Sequence, residues 1–255
     1  MTDSLQALID DASASERRFV VVDPGSDERV EAVLDALGHY GVETADEVTH
    51  SSIPGPTLVL TDGDCVLSAV DVGELDAYLS ENGIENPPSE DVRTSVRAFL
   101  DRLDDGVYTV ESGSRRRLTA VSRHIEERIA TREYGDVHAG FQRLSTLGDA
   151  PDTLNVYTTL ADRGVDVTLY GRPDWTPPVG AGFDVYEDPD GDVVGDFWFV
   201  VYDGGPDDGA ALLAREVEDG RYSGFWTFDA DRVRPVVDCL EGEVQPELSH
   251  TSGRT

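Results

Sequence analysis

Apolar residues occur along this chain either in short continuous runs or in stripes that repeat every three to four positions. A short run predicts a buried strand, and a stripe predicts a helix with one buried face. In the first third, Phe19–Val22 predicts a strand that ends at the turn sequence 23–25. Thr57–Leu60 and Cys65–Val70 flank an Asp-Gly pair at 62–63, which predicts a hairpin. Helices are predicted to begin near Leu5, Ser26, Asp71 and Ser89.

The second half is richer in predicted strands. They cover Val107–Val110, Val137–Phe141, Val165–Tyr170, Phe183–Tyr186, Phe197–Tyr202, Ala210–Val217 and Tyr222–Phe228. Helices are predicted from Ser114, over Thr153–Leu160, and from Asp229 toward Leu240. The run Phe197–Tyr202 is apolar throughout, so it is expected to be a central strand buried on both faces. This order of elements predicts an α/β fold, with a mixed β-sheet flanked by helices, arranged as one body or as two α/β halves.

The segment 82–88 is the strongest linker signal, because it combines glycine with two prolines between predicted helices. It divides the chain into an N-terminal α/β region, residues 1–85, and a second domain, residues 89–241. Residues 242–255 are predicted to form a flexible tail. No stretch approaches about 18 consecutive apolar residues, so no membrane association is expected. The N-terminus lacks the basic residues of a signal peptide.

The charged residues of the chain indicate the environment in which the protein is stable. The chain contains no lysine, and its 20 arginines face 52 aspartates and glutamates, for a net charge of −32. Repulsion among so many like charges is largely screened only in concentrated salt, where the Debye length falls to about 3 Å. Arginine retains bidentate pairing with carboxylates there. The composition therefore predicts a cytoplasmic protein of an extreme halophile. Nucleic acid is not an expected partner, since it is bound through basic side chains.

The absence of lysine excludes several chemistries. A Walker-A lysine, a pyridoxal Schiff base and the strand lysine of protein kinases are all impossible. The hydrolase sequences GxSxG and HExxH do not occur. Cys65 and Cys239 lie in separate predicted elements, so neither a disulfide framework nor a zinc site is expected. We therefore predict that the chain is not an enzyme and holds no metal, and its cofactor stays unidentified.

Residues 93–132 form a net-positive stretch, with nine arginines against six acidic residues. It includes the consecutive residues Arg115, Arg116 and Arg117. One interpretation is that these arginines pair with the acidic N-terminal half across a packed interface. A second is a site for an anionic ligand or partner, and a third, less favoured, is recognition of nucleic acid.

Five short sequence segments in the second half of the chain resemble those of a known domain family. They are GFQRLS at 140–145, LYGRPDWTPP at 169–178, GDFWFVVYDGG at 195–205, ALLARE at 211–216 and GFWTFD at 224–229. In this order and spacing they resemble the DICT sensory domain, in the stand-alone form found in haloarchaea. The resemblance is strongest over residues 105–241, and the first third resembles the N-terminal part of the same proteins more loosely.

The resemblance implies a non-enzymatic sensory or regulatory protein. DICT domains are named for their association with diguanylate cyclases and two-component systems, and they are regarded as signal-input modules. No cyclase, kinase or helix-turn-helix sequence follows the domain here, so it is expected to act in trans on a signalling or transcription partner. The alternative hypothesis is a structural interaction module that docks through the arginine-rich helical segment.

Over half of the aromatic residues lie between positions 141 and 228. Aromatic side chains with a few polar groups are typical of a small-molecule pocket, and aromatic side chains are equally typical of a core. The predicted ligand-binding residues are Arg143, Tyr170, Trp175, Trp198 and Trp226. Trp175 is the leading candidate because it lies in a proline-rich loop, and its alternative role is to anchor that loop. The alternative for Arg143 is a structural salt bridge.

Three further signals are interpreted as structural. His138 is expected to be a packed or surface residue, and His124 lacks the remainder of a phosphate-accepting histidine motif. The aspartates at 188, 190 and 192 are similar to the start of a calcium loop. Such a loop needs glycine at position 6 and glutamate at position 12, where this chain has Val193 and Phe199. A hairpin turn is predicted instead.

Overall fold

The structure is a computed structural model that describes residues 2–12, 17–25, 28–40, 42–48, 55–63, 65–79, 90–178 and 180–252. The chain forms two compact units. The N-terminal unit is Ala14–Tyr108, and the C-terminal unit combines Met1–Ser13 with Thr109–Thr255. This division differs from the boundary expected at residues 85–89. The reason is packing, because the helix that follows the expected linker buries Phe99 against Phe19, with ring centroids 6.4 Å apart.

Twelve strands and eight α-helices lie within the described ranges. In chain order they are α1 (Thr2–Asp11), β1 (Arg17–Val22), α2 (Glu28–Ala36), β2 (Glu43–Val48), β3 (Thr57–Asp62), β4 (Cys65–Asp71), α3 (Val72–Leu79), α4 (Glu90–Asp104), β5 (Val107–Ser114), α5 (Arg115–Ile129), β6 (Asp136–Arg143), α6 (Ser145–Gly148), α7 (Pro151–Asp162), β7 (Asp166–Arg172), β8 (Phe183–Glu187), β9 (Phe197–Asp203), β10 (Gly209–Glu218), β11 (Arg221–Thr227), α8 (Ala230–Cys239) and β12 (Ser249–Ser252). A π-helical turn (Leu240–Val244) and 3₁₀ turns (Gly38–Tyr40, Gln245–Glu247) complete the set.

The N-terminal unit is built on a four-stranded mixed sheet in the order β2-β1-β3-β4. Strands β1 and β2 are parallel, and the other pairs are antiparallel. The hairpin predicted at 62–63 joins β3 and β4, as expected. Asp71 caps α3 by accepting a hydrogen bond from the amide of Glu74 at 3.0 Å, which confirms the helix start predicted near Asp71. Ser26, Ser89 and the linker 82–88 lie outside the described residues.

The C-terminal unit is built on an eight-stranded mixed sheet in the order β12-β8-β7-β6-β9-β10-β11-β5. Strands β6, β7 and β8 are parallel to one another, and β9 runs antiparallel to both β6 and β10. The predicted central strand is confirmed, because β9 lies inside the sheet and its residues 199–201 are fully buried. The predicted α/β class, with a mixed sheet flanked by helices, is confirmed as well.

Alternation along the strands assigns side chains to two faces of this sheet. Phe141 and Trp198 are direct cross-strand partners on the face that packs against α5. His138 and Tyr170 lie on the opposite face, covered by α8 and the turns after it, where Gln245 bonds the Tyr170 hydroxyl at 2.7 Å. The helices therefore enclose the sheet from both sides, and α5 lies over the aromatic pair.

Two local predictions are corrected by the structure. The segment 242–255 contains a π-helical turn, a 3₁₀ turn and β12, which pairs with β8 from Ser249 to Ser252, instead of a loose tail. Apolar anchoring explains this, since Leu240 and Val244 are buried. The aspartate-rich loop 188–192 is not a hairpin, because β8 and β9 are not neighbours in the sheet. Among the described helices, none is long and apolar enough to cross a membrane.

Candidate ligand-binding site

One face of α5 is unusually polar for a helix that packs on a sheet. Arg115, Thr119, Ser122 and Glu126 follow one another at spacings of four, three and four residues, and Arg123 lies beside them. This spacing places the side chains on one stripe of the helix, about 16 Å long at 1.5 Å per residue. All five residues line a single cavity between α5 and the sheet.

The other walls of this cavity come from the sheet and from the segment that follows β6. Phe141 and Trp198 supply two aromatic surfaces from adjacent strands. The remaining lining residues are Gln142, Thr146, Leu147, Ala150 and Thr153. The cavity has a volume of about 160 Å³, similar to a cavity of about 150 Å³ that holds benzene in a protein core. It is therefore large enough for a ligand of one aromatic ring.

Glu126 places a carboxyl group at the deep end of the cavity, with only 5% of the residue exposed. Its Oε1 accepts hydrogen bonds from the Tyr157 hydroxyl at 3.0 Å and from Ser122 Oγ at 3.2 Å. Burial raises the pKa of Glu126, while these two hydrogen bonds and the charge of Arg123 lower it. Within the described residues Oε2 accepts no hydrogen bond, so this oxygen is available to a ligand.

The backbone beside the cavity is strained at Gln142, whose φ of 62° is rare for a residue other than glycine. The register between β6 and β7 shifts at the same place, between Gly140 and Arg143. The Gln142 amide donates to Glu216 Oε2 at 2.8 Å, which holds the bulge. Strain of this kind costs about 1–3 kcal/mol and concentrates at functional sites. The bulge directs the chain away from β7 at the wall of the cavity.

Two kinds of donor at this site have no partner among the described residues. The indole N–H of Trp198 is buried and makes no hydrogen bond. Among the described residues of the C-terminal unit, neither Arg115 nor Arg123 has an ion-pair partner, although the chain has 52 acidic residues. A buried donor without a partner is costly, so the indole N–H has unused capacity for an acceptor. Arg115 and Arg123 are exposed, and their guanidinium groups can bind an anion.

Of the five ligand-binding residues predicted from the sequence, only Trp198 lines the cavity. Trp226 is fully buried in β11 and belongs to the core. Tyr170 is also fully buried, and its hydroxyl bonds His138 Nδ1 at 2.7 Å. Burial lowers the pKa of His138 to about 4, so the imidazole is neutral at neutral pH and acts as a packed residue, as expected.

Trp175 and Arg143 have the structural roles that were their alternatives. Trp175 packs against the hydrophobic core beside Gly148, where an added Cβ would lie 2.6 Å from its Nε1. It anchors the proline-rich loop. Arg143 is 58% exposed and lies 3.6 Å from Asp174, which also accepts hydrogen bonds from the amide and hydroxyl of Ser145. The predicted pair of Trp175 and Arg143 therefore stabilises the loop around α6 and does not line the cavity.

The arginine-rich segment lies at the beginning of α5. Arg115 and Arg116 are exposed there, and Arg117 belongs to the same helix with its side chain outside the described part. The first turn of α5 contains no acidic residue. Positive side chains at a helix N-terminus oppose the helix dipole and cost about 0.3–1 kcal/mol each at low ionic strength. The location is therefore unfavourable for the stability of the helix.

Sequence reasoning missed Thr119, Ser122, Arg123 and Glu126, which supply most of the polar wall. Ser122, Arg123 and Glu126 belong to the incomplete phosphate-accepting motif around His124, and Thr119 was not singled out. His124 of that motif packs its ring edge-on against Phe228, with centroids 5.5 Å apart. The available signal was the spacing of polar residues from 115 to 126, which lies next to the apolar stripe of the same helix.

Comparison with known proteins adds little to this geometry. No family model and no curated protein matches the chain. A polyphosphate kinase from Porphyromonas gingivalis aligns with 94% of this chain and 48% of its own, at 11% identity and a TM-score of 0.38. A similarity this low supports no conclusion about function. Across the described ranges, no group of three or more His, Cys, Asp or Glu residues could hold a metal ion.

Proposed function

We propose that this chain is a non-enzymatic sensory or regulatory protein of a haloarchaeal cytoplasm, resembling stand-alone DICT proteins. A small ligand binds in the cavity beneath α5 and changes the population of conformations of the C-terminal unit. The protein then acts in trans on a signalling or transcription partner. The observation that supports this function best is the cavity itself, in which a buried indole N–H and a carboxylate oxygen have no hydrogen-bond partner among the described residues.

The charge at the start of α5 supports the same proposal. Arginines at a helix N-terminus reduce stability, and residues that reduce stability are commonly kept for function. Arg115 faces the cavity, whereas Arg116 is exposed and does not line it. The segment is therefore suited to an anionic ligand on one side and to a partner on the other.

The first test is a thermal-shift screen of small anionic and aromatic metabolites in molar KCl. A ligand present at 100 times its Kd stabilises the folded state by about 2.7 kcal/mol. For a chain of this size we expect the melting temperature to rise by about 5–10 °C. The ligand should be recovered chemically unchanged after incubation, as mass spectrometry can show.

Trp198→Phe keeps an aromatic ring in the cavity but removes the indole N–H, so it should reduce the ligand-dependent shift. Trp175→Phe is the matched control, because Trp175 does not line the cavity. Equal loss of the shift in both variants would contradict this location of the site. Turnover of a ligand by the purified protein would contradict the non-enzymatic assignment.

The alternative function is docking of the arginine-rich segment on an acidic partner, and it is favoured by the exposure of Arg115 and Arg116. Arg116→Glu is the most informative variant. We expect its free energy of unfolding to be unchanged or raised by up to about 1 kcal/mol, because the substitution removes an unfavourable charge from the start of α5. Chemical denaturation in molar KCl and at lower salt would measure this difference.

Destabilisation of Arg116→Glu would show instead that Arg116 makes a structural ion pair. If the variant folds normally, ligand shifts and partner binding separate the two functions. Loss of partner binding with a normal ligand shift indicates docking through α5. If Arg116→Glu still binds the partner normally, docking through the arginine-rich segment is excluded. The cavity then remains the proposed site of regulation.

A further inference from the structure

The chemistry of the cavity walls restricts the class of ligand, if the proposed ligand-binding function holds. Its mouth and its deep end differ in charge. Arg115 and Arg123 have exposed side chains at the mouth, whereas Ser122 and Glu126 are 4% and 5% exposed at the deep end. A ligand that fills the cavity therefore meets guanidinium groups at one end and a carboxyl group at the other.

The middle of the cavity favours a flat apolar group. Phe141 and Trp198 are opposed across β6 and β9, so their rings project from neighbouring positions on the same face. The Phe141 ring is fixed in turn by an edge-on contact with Tyr157, with centroids 5.8 Å apart and planes at 80°. An aromatic ring against such a pair gains offset or edge-to-face contacts in addition to buried area. The volume of about 160 Å³ allows one ring.

The deep end favours a hydrogen-bond donor on the ligand. Both protein donors, from Tyr157 and Ser122, converge on Oε1 of Glu126. Their directions fix the carboxyl group, while Oε2 keeps its capacity to accept a bond. An N–H or O–H group on the ligand satisfies that oxygen. A ligand without such a group leaves a desolvated carboxyl oxygen unpaired.

We propose that the cavity binds a small aromatic carboxylate that carries an N–H or O–H donor on its ring. The ligand carboxylate binds the guanidinium of Arg123, with Arg115 adding charge. The ring lies against Phe141 and Trp198, and its donor bonds Oε2 of Glu126. The Trp198 indole N–H donates to an oxygen of the ligand. The binding involves no covalent step.

The test is calorimetric titration of the full chain in molar KCl with 4-aminobenzoate, benzoate, aniline and cyclohexanecarboxylate. We expect 4-aminobenzoate to bind one site per chain, about 10-fold more tightly than benzoate, because benzoate lacks the donor that pairs with Glu126. Aniline lacks the carboxylate and cyclohexanecarboxylate lacks the flat ring and the donor, so each should bind at least 10-fold more weakly than 4-aminobenzoate. This comparison needs no variant and does not depend on whether any variant folds.

Two variants test which cavity residue binds each end of the ligand. Glu126→Gln turns an amide toward the ligand, and it should reduce the preference for 4-aminobenzoate over benzoate to about one. Arg123→Gln should weaken both carboxylates about 10-fold and leave their ratio unchanged. The controls are Glu127→Gln and Arg116→Gln, exposed positions on α5 that do not line the cavity. Neither control should change the affinities.

The outcomes distinguish this inference from the function on which it rests. A Trp198-dependent shift with some other ligand, together with no binding of 4-aminobenzoate, overturns the ligand class and keeps the sensory function. Equal affinity for 4-aminobenzoate and benzoate overturns the role of Glu126. Equal affinity for aniline and 4-aminobenzoate overturns the role of the arginines. No binding by any metabolite of the screen overturns both the ligand class and the cavity as a sensory site.

Discussion

Replacement of Gly224 by alanine should lower the free energy of unfolding by about 3 kcal/mol or more. Gly224 is buried in β11, opposite Ala214 of β10. An added Cβ would collide with the carbonyl oxygen of Leu213 and would lie 2.6 Å from the Cα of Ala214. Both are backbone atoms of a paired strand, so no side-chain rotation can relieve the collision. The two strands must separate and lose hydrogen bonds.

Thermal denaturation in molar KCl measures this effect, and a loss of about 3 kcal/mol corresponds to about 6–12 °C for a chain of this size. Ser223→Ala is the control, since it changes the adjacent residue of the same strand, whose side chain is half-buried. We expect the control to stay within about 0.5 kcal/mol of the wild type. A melting temperature for Gly224→Ala equal to that of the control would show that the sheet is less closely packed than the structure indicates.

Asp188→Ala should have an effect of similar size by a different mechanism. The Asp188 carboxylate is 3% exposed and accepts hydrogen bonds from the amides of Gly191, Val193 and Val194, at 3.0, 3.0 and 2.8 Å. Alanine leaves three backbone donors without their acceptor, at about 1–3 kcal/mol for each one that stays buried. Because the outer part of the loop can recruit water, we expect a total loss of about 3 kcal/mol.

Asp190→Ala tests whether the effect belongs to the hydrogen bonds or to the negative charge. Asp190 lies in the same loop, is exposed and makes no hydrogen bond within the described residues. Asp190→Ala removes the same charge as Asp188→Ala, and the melting temperature of this variant should remain close to that of the wild type. If the two variants have the same melting temperature, repulsion among the acidic residues dominates this loop, and the hydrogen bonds from the three amides contribute little.

The strands of the C-terminal unit could be predicted because most are buried on both faces. A strand such as β9 is apolar at nearly every position, and the continuous run leaves few alternatives. Strand β2 was missed because its sequence, ETADEV, contains only isolated apolar residues. It pairs with β1 at the edge of the smaller sheet, where backbone hydrogen bonds and not a hydrophobic run define the strand.

The cavity was predictable only in part, because its polar residues depend on tertiary packing. Trp198 was identified from its type and from the aromatic phrase that contains it. Ser122 and Glu126 could not be separated from solvent-facing residues by residue type alone, since buried glutamate is rare. Their burial results from the position of α5 over Phe141 and Trp198, and that position follows from contacts between residues distant in sequence. Helix spacing alone places them on one stripe.

The C-terminal unit is made of two separate stretches of the chain, and this determines where the protein can be truncated or fused to another protein. Helix α1 packs with α8, β10 and β11, and the Gln6 side chain bonds Arg215 at 3.0 Å. A fragment that begins at the apparent linker would therefore lack an integral helix and expose the surface that Leu5 and Ile9 cover. Excision of residues 14–108 with a short bridging peptide preserves this helix. A reporter fused to the amino terminus is thus attached directly to the C-terminal unit.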